Sequence, residues 1–191
     1  MACGEITRGS TVEECADIPP GGTRARLLLA NIDDIESYTE DVNFQITDIT
    51  LAAGKTFFEF TGFRNDVKKS EEVIKPDIGI PKFKHNVGWV IYENTQIQKN
   101  NVENIVRGRF VAIVENKGKD ANSFEVVGKD VGLEIVAGPI RNAHENGGFF
   151  VISLSTPDDQ GELEGALPQT LIVTDYAGTL AYILSDLLPA S

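Results

Sequence analysis

Histidine is the side chain best suited to moving protons near neutral pH, and this 191-residue chain has only two. His85 alternates with Phe83 and Val87 in a strand-like stretch, which points its ring into a core as a structural residue. His144 falls in the polar run Arg141-Asn142-Ala143-His144-Glu145-Asn146, a solvent-facing loop. Nucleophilic catalysis has no better footing. Ser10, Ser37, Ser70, Ser123, Ser153, Ser155, Ser185 and Ser191 all lack the Gly-x-Ser-x-Gly turn that exposes a nucleophile. Adjacent carboxylates at Glu71-Glu72 and Asp158-Asp159 point to opposite faces of any strand, so they read as loop charges. Asp33-Asp34 and Asp158-Asp159 lack the ligand spacing of a calcium loop. Gly128 and Gly132 lack the Gly-Lys-Ser ending of a phosphate cradle. Cys3 and Cys15 could close a small loop, but free thiols in a reducing compartment fit better, and no zinc ligand set stands near them. The chain is therefore expected to be non-enzymatic, with no catalytic, cofactor-binding or metal-binding residues.

A net charge of −12 argues against gripping phosphate backbones, because that affinity comes chiefly from Lys and Arg. It fits a protein kept soluble at high concentration, or a surface that nucleic acid must pass without sticking. No stretch reaches the roughly 20 apolar residues of a membrane span. The start, Met1-Ala2-Cys3-Gly4-Glu5, lacks the basic and apolar regions of a secretory signal, so none is expected.

The elements that would position any site are mostly strands. Residues 1–23 read as an extended arm rich in Gly and Pro, ending at Pro19-Pro20-Gly21-Gly22. Residues 24–31 form a strand with Leu27, Leu28 and Leu29 as a continuous buried run. Residues 32–41 are acidic and loop-like, and β alternation starts at Val42, Phe44 and Ile46. The stretch 55–63 is rich in strand formers, with Phe58 and Phe60 on one face and Phe57, Glu59, Thr61 and Phe63 on the other. A polar connection over 64–81 leads to a strand at 82–93, with Phe83, Val87, Trp89 and Ile91 on its apolar face and Lys82, Lys84 and Asn86 opposite. Together 55–93 reads as a long antiparallel hairpin arm.

A helix follows over 94–107, capped by Asn94 or Thr95 and ended by Gly108, with Ile97, Asn101, Val102, Ile105 and Val106 on its apolar face. Strands are expected at 109–115, 123–128, 131–136, 148–154 and 169–174, with Asn146-Gly147 as a hairpin signal. A last helix over 175–188 aligns Leu180, Ile183, Leu184 and Leu187 behind a cap at Asp175 or Thr179. The fold class is α+β, mostly β. It is an antiparallel β-sandwich or barrel flanked by a short helix, with residues 24–191 as one domain behind the arm.

Several segments carry a family resemblance. The opening Met1-Ala2-Cys3-Gly4-Glu5-Ile6-Thr7-x-Gly9 with Cys15-x-Asp17 resembles the starts of structural proteins from phages infecting Bacteroidetes. The run Pro81-Lys82-Phe83-Lys84-His85-Asn86-Val87-x-Trp89, the helix after it, and Gly108-Arg109-Phe110-Val111-Ala112-Ile113-Val114-Glu115 are similar to phage tail tube proteins. So are Phe124-Glu125-Val126-Val127-Gly128, Gly132-Leu133, Asn146-Gly147-Gly148 and Leu167-Pro168, in that order. The resemblance implies homohexameric rings that stack into a tube in the virion tail, assembled in the host cytoplasm. The tube meets other tail proteins and passes genomic DNA without specific binding.

In that family a long hairpin from each subunit lines the lumen. The role falls here on 55–93, with Glu59 as the lumen-facing candidate and Lys82 and Lys84 as opposing charges. Phe57, Phe58, Phe60, Phe63, Phe83 and Trp89 are the inter-subunit candidates. Two other readings stand beside this one: a head–tail connector or tail terminator ring, and a small β-fold binding protein or enzyme.

Overall fold

A computed structural model describes residues 22–63, 66–75, 79–138, 140–141, 148–157 and 163–189. Residues 1–21 of the expected arm, with Cys3 and Cys15, lie outside the described residues, as do His144, Asn146-Gly147 and Asp158-Asp159.

Strand β1 (Thr23–Asn31) and strand β7 (Phe110–Asn116) pair antiparallel, with Leu28 opposite Ile113 and Leu29 opposite Ala112. They sit in the middle of a five-stranded sheet. Beyond β7 come β8 (Phe124–Val127) and β11 (Gln169–Thr170); beyond β1 comes β4 (Phe58–Thr61). A second sheet has the order β5 (Lys68–Ile74), β6 (Lys82–Ile91), β10 (Phe150–Ser155) and β9 (Glu134–Ile135). Strands β2 (Ile35–Glu40) and β3 (Ile46–Leu51) form a separate hairpin.

The unbroken apolar runs of β1 and β7 have a physical cause: both faces of their sheet are covered. One face sends Leu27, Leu29, Ala112 and Val114 against Val87, Trp89, Ile152 and Leu154 of the second sheet. Helix α1 (Gln96–Arg107) closes that core with Val102 and Ile105. The other face sends Leu28, Ala30, Val111 and Ile113 against Ile46 and Ile49 of the β2–β3 hairpin and the C-terminal helix. Among the described residues the molecule is mostly β with facing antiparallel sheets and two helices, as expected, and no closed barrel is found.

The expected 55–93 hairpin is corrected. Strand β4 pairs with β1, whereas β6 pairs with β5 and β10 in the other sheet. The two aromatic stretches face each other across the core, with the rings of Phe60 and Trp89 5.5 Å apart. The actual hairpin is β5–β6, running from Ile74 opposite Lys82 to Lys68 opposite Gly88. Strand β5 reads as a polar connection because its inward residues include ions: Lys69 binds Glu71 at 3.0 Å and also Glu125 of the facing sheet.

The stretch 32–41 is likewise a 3-10 turn (Ile32–Asp34) followed by β2, not a loop, since Ile32, Ile35 and Tyr38 reach the second core. Val42 and Phe44 belong to the β2–β3 turn instead of a strand, and Phe44 has φ 62°. The strand expected at 131–136 shrinks to β9, and that expected at 169–174 to β11.

Helix α1 starts where predicted, with the Thr95 hydroxyl accepting from Gln98 N–H at 3.3 Å. Its apolar face is narrower than the pattern suggested: Val102 and Ile105 are buried while Ile97 and Val106 are exposed. Gly108 follows it in extended conformation, φ −101°, so a left-handed cap is not its role. A Cβ there would sit 2.4 Å from the Phe110 ring, and that close approach requires glycine.

Helix α2 (Tyr176–Tyr182) is capped by Asp175, which accepts from Gly178 N–H at 2.7 Å, and continues as a π-helical turn (Ile183–Leu187). Ile183 and Leu187 are buried, Leu180 is half-buried and Leu184 is exposed. The turn's end is tied down, because Leu187 C=O accepts from Phe57 N–H at 2.8 Å. Tyr182 fixes the other side: its hydroxyl accepts from Ile49 N–H at 2.8 Å and donates to Asp48 at 3.0 Å.

Phe57 and Phe58 are chain neighbours with opposite surroundings, at 0% and 59% exposure. Phe57→Ala is expected to destabilise the fold by about 3–5 kcal/mol through the cavity it leaves. Phe58→Ala should stay within about 1 kcal/mol. Urea unfolding of the two variants measures both, and equal losses would contradict the assigned faces.

Candidate functional site

The most chemically unusual described residues lie where β6 meets the turn after β8. His85 points inward from β6 and is 2% exposed. Its Nδ1 accepts the Gly128 N–H at 3.3 Å, so its Nε2 carries the proton and donates to Ala166 C=O at 3.0 Å. The ring is neutral, and burial holds its pKa below the usual imidazole range. Main-chain bonds to Thr156 hold the same residue from the other side, with His85 N–H donating to the Thr156 hydroxyl at 2.8 Å. His85 is thus a buried histidine with both ring nitrogens bonded, as its alternation with Phe83 and Val87 implied.

Glu164 lies beside it, 2% exposed, and its main chain pairs with Phe83 at 2.9 and 3.0 Å. Its carboxylate accepts from Asp130 N–H at 3.1 Å and from Val131 N–H at 3.2 Å. These amides are presented by a turn that opens and closes on left-handed glycines, Gly128 at φ 73° and Gly132 at φ 77°. Burial pushes the Glu164 pKa up to about 7, outweighing the two amide bonds that lower it.

Tyr38 is close enough to feel the charges of Glu164 and Asp130. Its hydroxyl is buried without a hydrogen-bond partner, and its pKa is displaced upward, first by burial. Lys129 lies 5.4 Å over the Tyr38 ring and reaches Glu40 and Gln169. The space between His85, Asp130, Glu164 and Ala166 is about 30 Å³. That is about one water molecule, far below a substrate pocket. The cluster can store a proton and pin the 164–171 segment to β6. Glu164 and Tyr38 carried no signal in the sequence, since neither sits in a motif and their proximity is purely tertiary.

The residues expected to face a lumen or a neighbour divide sharply. Glu59 is bound to Arg26 at 2.7 Å. Arg26 lies 3.9 Å from Glu115, which also binds Arg24 at 2.8 Å and accepts from the Tyr176 hydroxyl at 2.7 Å. Glu59 is therefore the outer member of a balanced charge chain on the face carrying the C-terminal helix. Phe57 and Trp89 are core residues, Phe60 packs against Trp89, and Phe83 is half-buried.

Phe58 and Phe63 remain exposed, Phe63 at 70%. The Phe63 ring meets Tyr92 edge-on at 5.0 Å, and Tyr92 meets Phe149 at 4.7 Å. Next to them Asp66 accepts a hydrogen bond from Phe63 N–H. At the β2–β3 tip, Val42 is 93% exposed and Phe44 is held in the left-handed region by the Asp41 carboxylate, which accepts from Asn43 and Gln45 N–H at 2.8 and 2.9 Å.

Among the described residues no group of three or more His, Cys, Asp or Glu side chains is placed to hold a metal ion. No family model, curated protein or solved structure matches this chain.

Glu164 makes stability depend on pH. Its folded pKa lies above the ordinary glutamate value, so the folded chain holds the proton more tightly than the unfolded one. The associated stabilisation is present at acid pH and is lost as pH rises from the ordinary glutamate range through about 7. His85, with a lowered pKa, acts in the opposite direction on the acid side. The melting temperature is expected to fall by a few degrees between about pH 6.5 and 8, and Glu164→Gln should flatten that slope. Identical slopes in thermal melts of the two proteins would remove Glu164 as the titrating group.

Proposed function

We propose that this chain is a non-enzymatic structural subunit that assembles with copies of itself into stacked hexameric rings of a phage tail tube. The observation that carries the reading is the ring ladder Phe63–Tyr92–Phe149. Phe63 and Phe149 are solvent-exposed, and each packs edge-on against the Tyr92 ring. Exposed aromatic area is what an interface core uses, and rings already packed on one another have less side-chain freedom to lose. Val42 and Phe44 offer a second apolar feature, at a hairpin tip whose strained Phe44 backbone suits presentation more than stability. The sequence resemblance supplies the ring and the tube. The charge of −12 suits a conduit that DNA crosses without lodging. Its partners on this reading are its own copies, other tail proteins and the genome in transit. It resides in the virion tail after assembly in the host cytoplasm.

The test is to concentrate the purified chain and count rings and tubes by negative-stain microscopy. Rings stacked into tubes are expected, and a Phe63→Asp/Phe149→Asp variant should keep its circular dichroism while losing assembly. Isolated rings that never stack would favour a connector or terminator. A wild-type chain that forms no rings at high concentration would overturn the proposal.

A further inference from the structure

Among the described residues strand β5 is the terminal strand of its sheet, and its residues read Lys68-Lys69-Ser70-Glu71-Glu72-Val73-Ile74. Around Ser70 this order is self-complementary. Two lysines precede the serine, two glutamates follow it, and Val67 before the lysines mirrors Val73 after the glutamates. Directly opposite residues of an antiparallel ladder share one side-chain face and one backbone orientation. A strand pairing with its own copy must therefore centre on a residue, never between two. Centred on Lys69 or Glu71, it sets like charges against each other on the axis. Centred on Ser70, it places Lys68 opposite Glu72 and Lys69 opposite Glu71, each twice, with no like charges facing. Opposite-charge cross-strand pairs are favourable and like-charge pairs unfavourable, so the Ser70-centred register is favoured over those centred on its neighbours.

We propose that β5 pairs antiparallel with β5 of a second copy of this chain, about a twofold axis through Ser70, joining the two four-stranded sheets into one. The surroundings permit it. Lys68, Ser70 and Glu72 are exposed on the outer face, where a hollow of about 670 Å³ extends from Lys68 and Ser70 across Asn86 and Gly88 of β6 to Ser153 of β10. Val73, 65% exposed although it lies on the inward side of the strand, comes to rest beside Val67 of the second copy. Lysines on a free edge strand ordinarily repel incoming strands. Here the glutamates two and four positions on turn that repulsion into attraction in the Ser70-centred register, while the registers centred on Lys69 and Glu71 still set like charges together. The pairing is a property of the free subunit and does not rest on the tube reading.

The test uses charge exchange on the exposed pair, with the full chain at dilution and two-chain species counted by sedimentation equilibrium and native mass spectrometry. Wild type is expected to dimerise, less tightly as salt is raised. Lys68→Glu and Glu72→Lys should each weaken the dimer by about tenfold or more, because each sets like charges opposite one another twice. An equimolar mixture of the two single variants should regain dimerisation as a heterodimer, since every pair across the axis is then complementary. The Lys68→Glu/Glu72→Lys chain should regain it alone. A wild-type chain that stays monomeric, single variants that dimerise like wild type, or a mixture that does not recover would each overturn the pairing. Loss of tubes with these dimers intact would count against the tube reading alone.

Discussion

Burial of one sheet on both faces is the constraint on which the rest of this structure depends. Strands β1 and β7 run side by side through the middle of the molecule, and nearly every side chain between Leu27 and Ala30 and between Phe110 and Glu115 is shut off from water. Each such aliphatic side chain contributes about 1.5–3 kcal/mol when fully buried. That gain is realised only if something covers each face. The second sheet with α1 supplies one cover, and the β2–β3 hairpin with the C-terminal helix supplies the other. The π-helical turn, the Tyr182 bonds to Asp48 and Ile49, and the bond from Phe57 to Leu187 all serve that second cover.

A sheet enclosed in this way leaves little room for charge, and the charges that intrude are organised accordingly. Glu115, at the end of β7, is buried and balanced by Arg24 and Arg26, with Tyr176 donating to it. Lys69 crosses between the sheets to Glu125. Glu164 is the exception, a carboxylate whose proton affinity rises because burial outweighs the two main-chain amides that hold it and act to lower it. His85 spends both ring nitrogens on backbone groups. These polar residues join segments far apart in the chain, so their contribution is to register and closure of the fold.

The residues left outside the two cores are the ones on which the proposed assembly rests. Phe58, Phe63, Val42 and Phe44 are apolar and exposed, while Phe57, Phe60 and Trp89, equally aromatic in the sequence, are consumed by the cores. Aromatic content alone therefore could not separate interface from interior. The separation came from which strand is central and which is an edge, and β4 and β5 are both edges.

Much was legible from residue order because it depends on local physics. Triple-Leu and Phe-Val-Ala-Ile-Val runs mark doubly covered strands, Thr95 and Asp175 mark helix starts, and alternation around His85 marks an inward face. Pairing partners were not legible, since a strand's alternation shows which side is apolar without naming its neighbour. Strands at 58–61 and 82–91 looked like one hairpin, and only the tertiary structure placed them in facing sheets. Strand β5 was hidden because its inward charges are neutralised across the core by Glu125, a residue 56 positions away. The sequence by itself determined a β-rich, acidic chain with two capped helices. The tertiary structure decided which aromatics are spent inside and which edges stay open, because burial and pairing are set by contacts between residues distant in the chain.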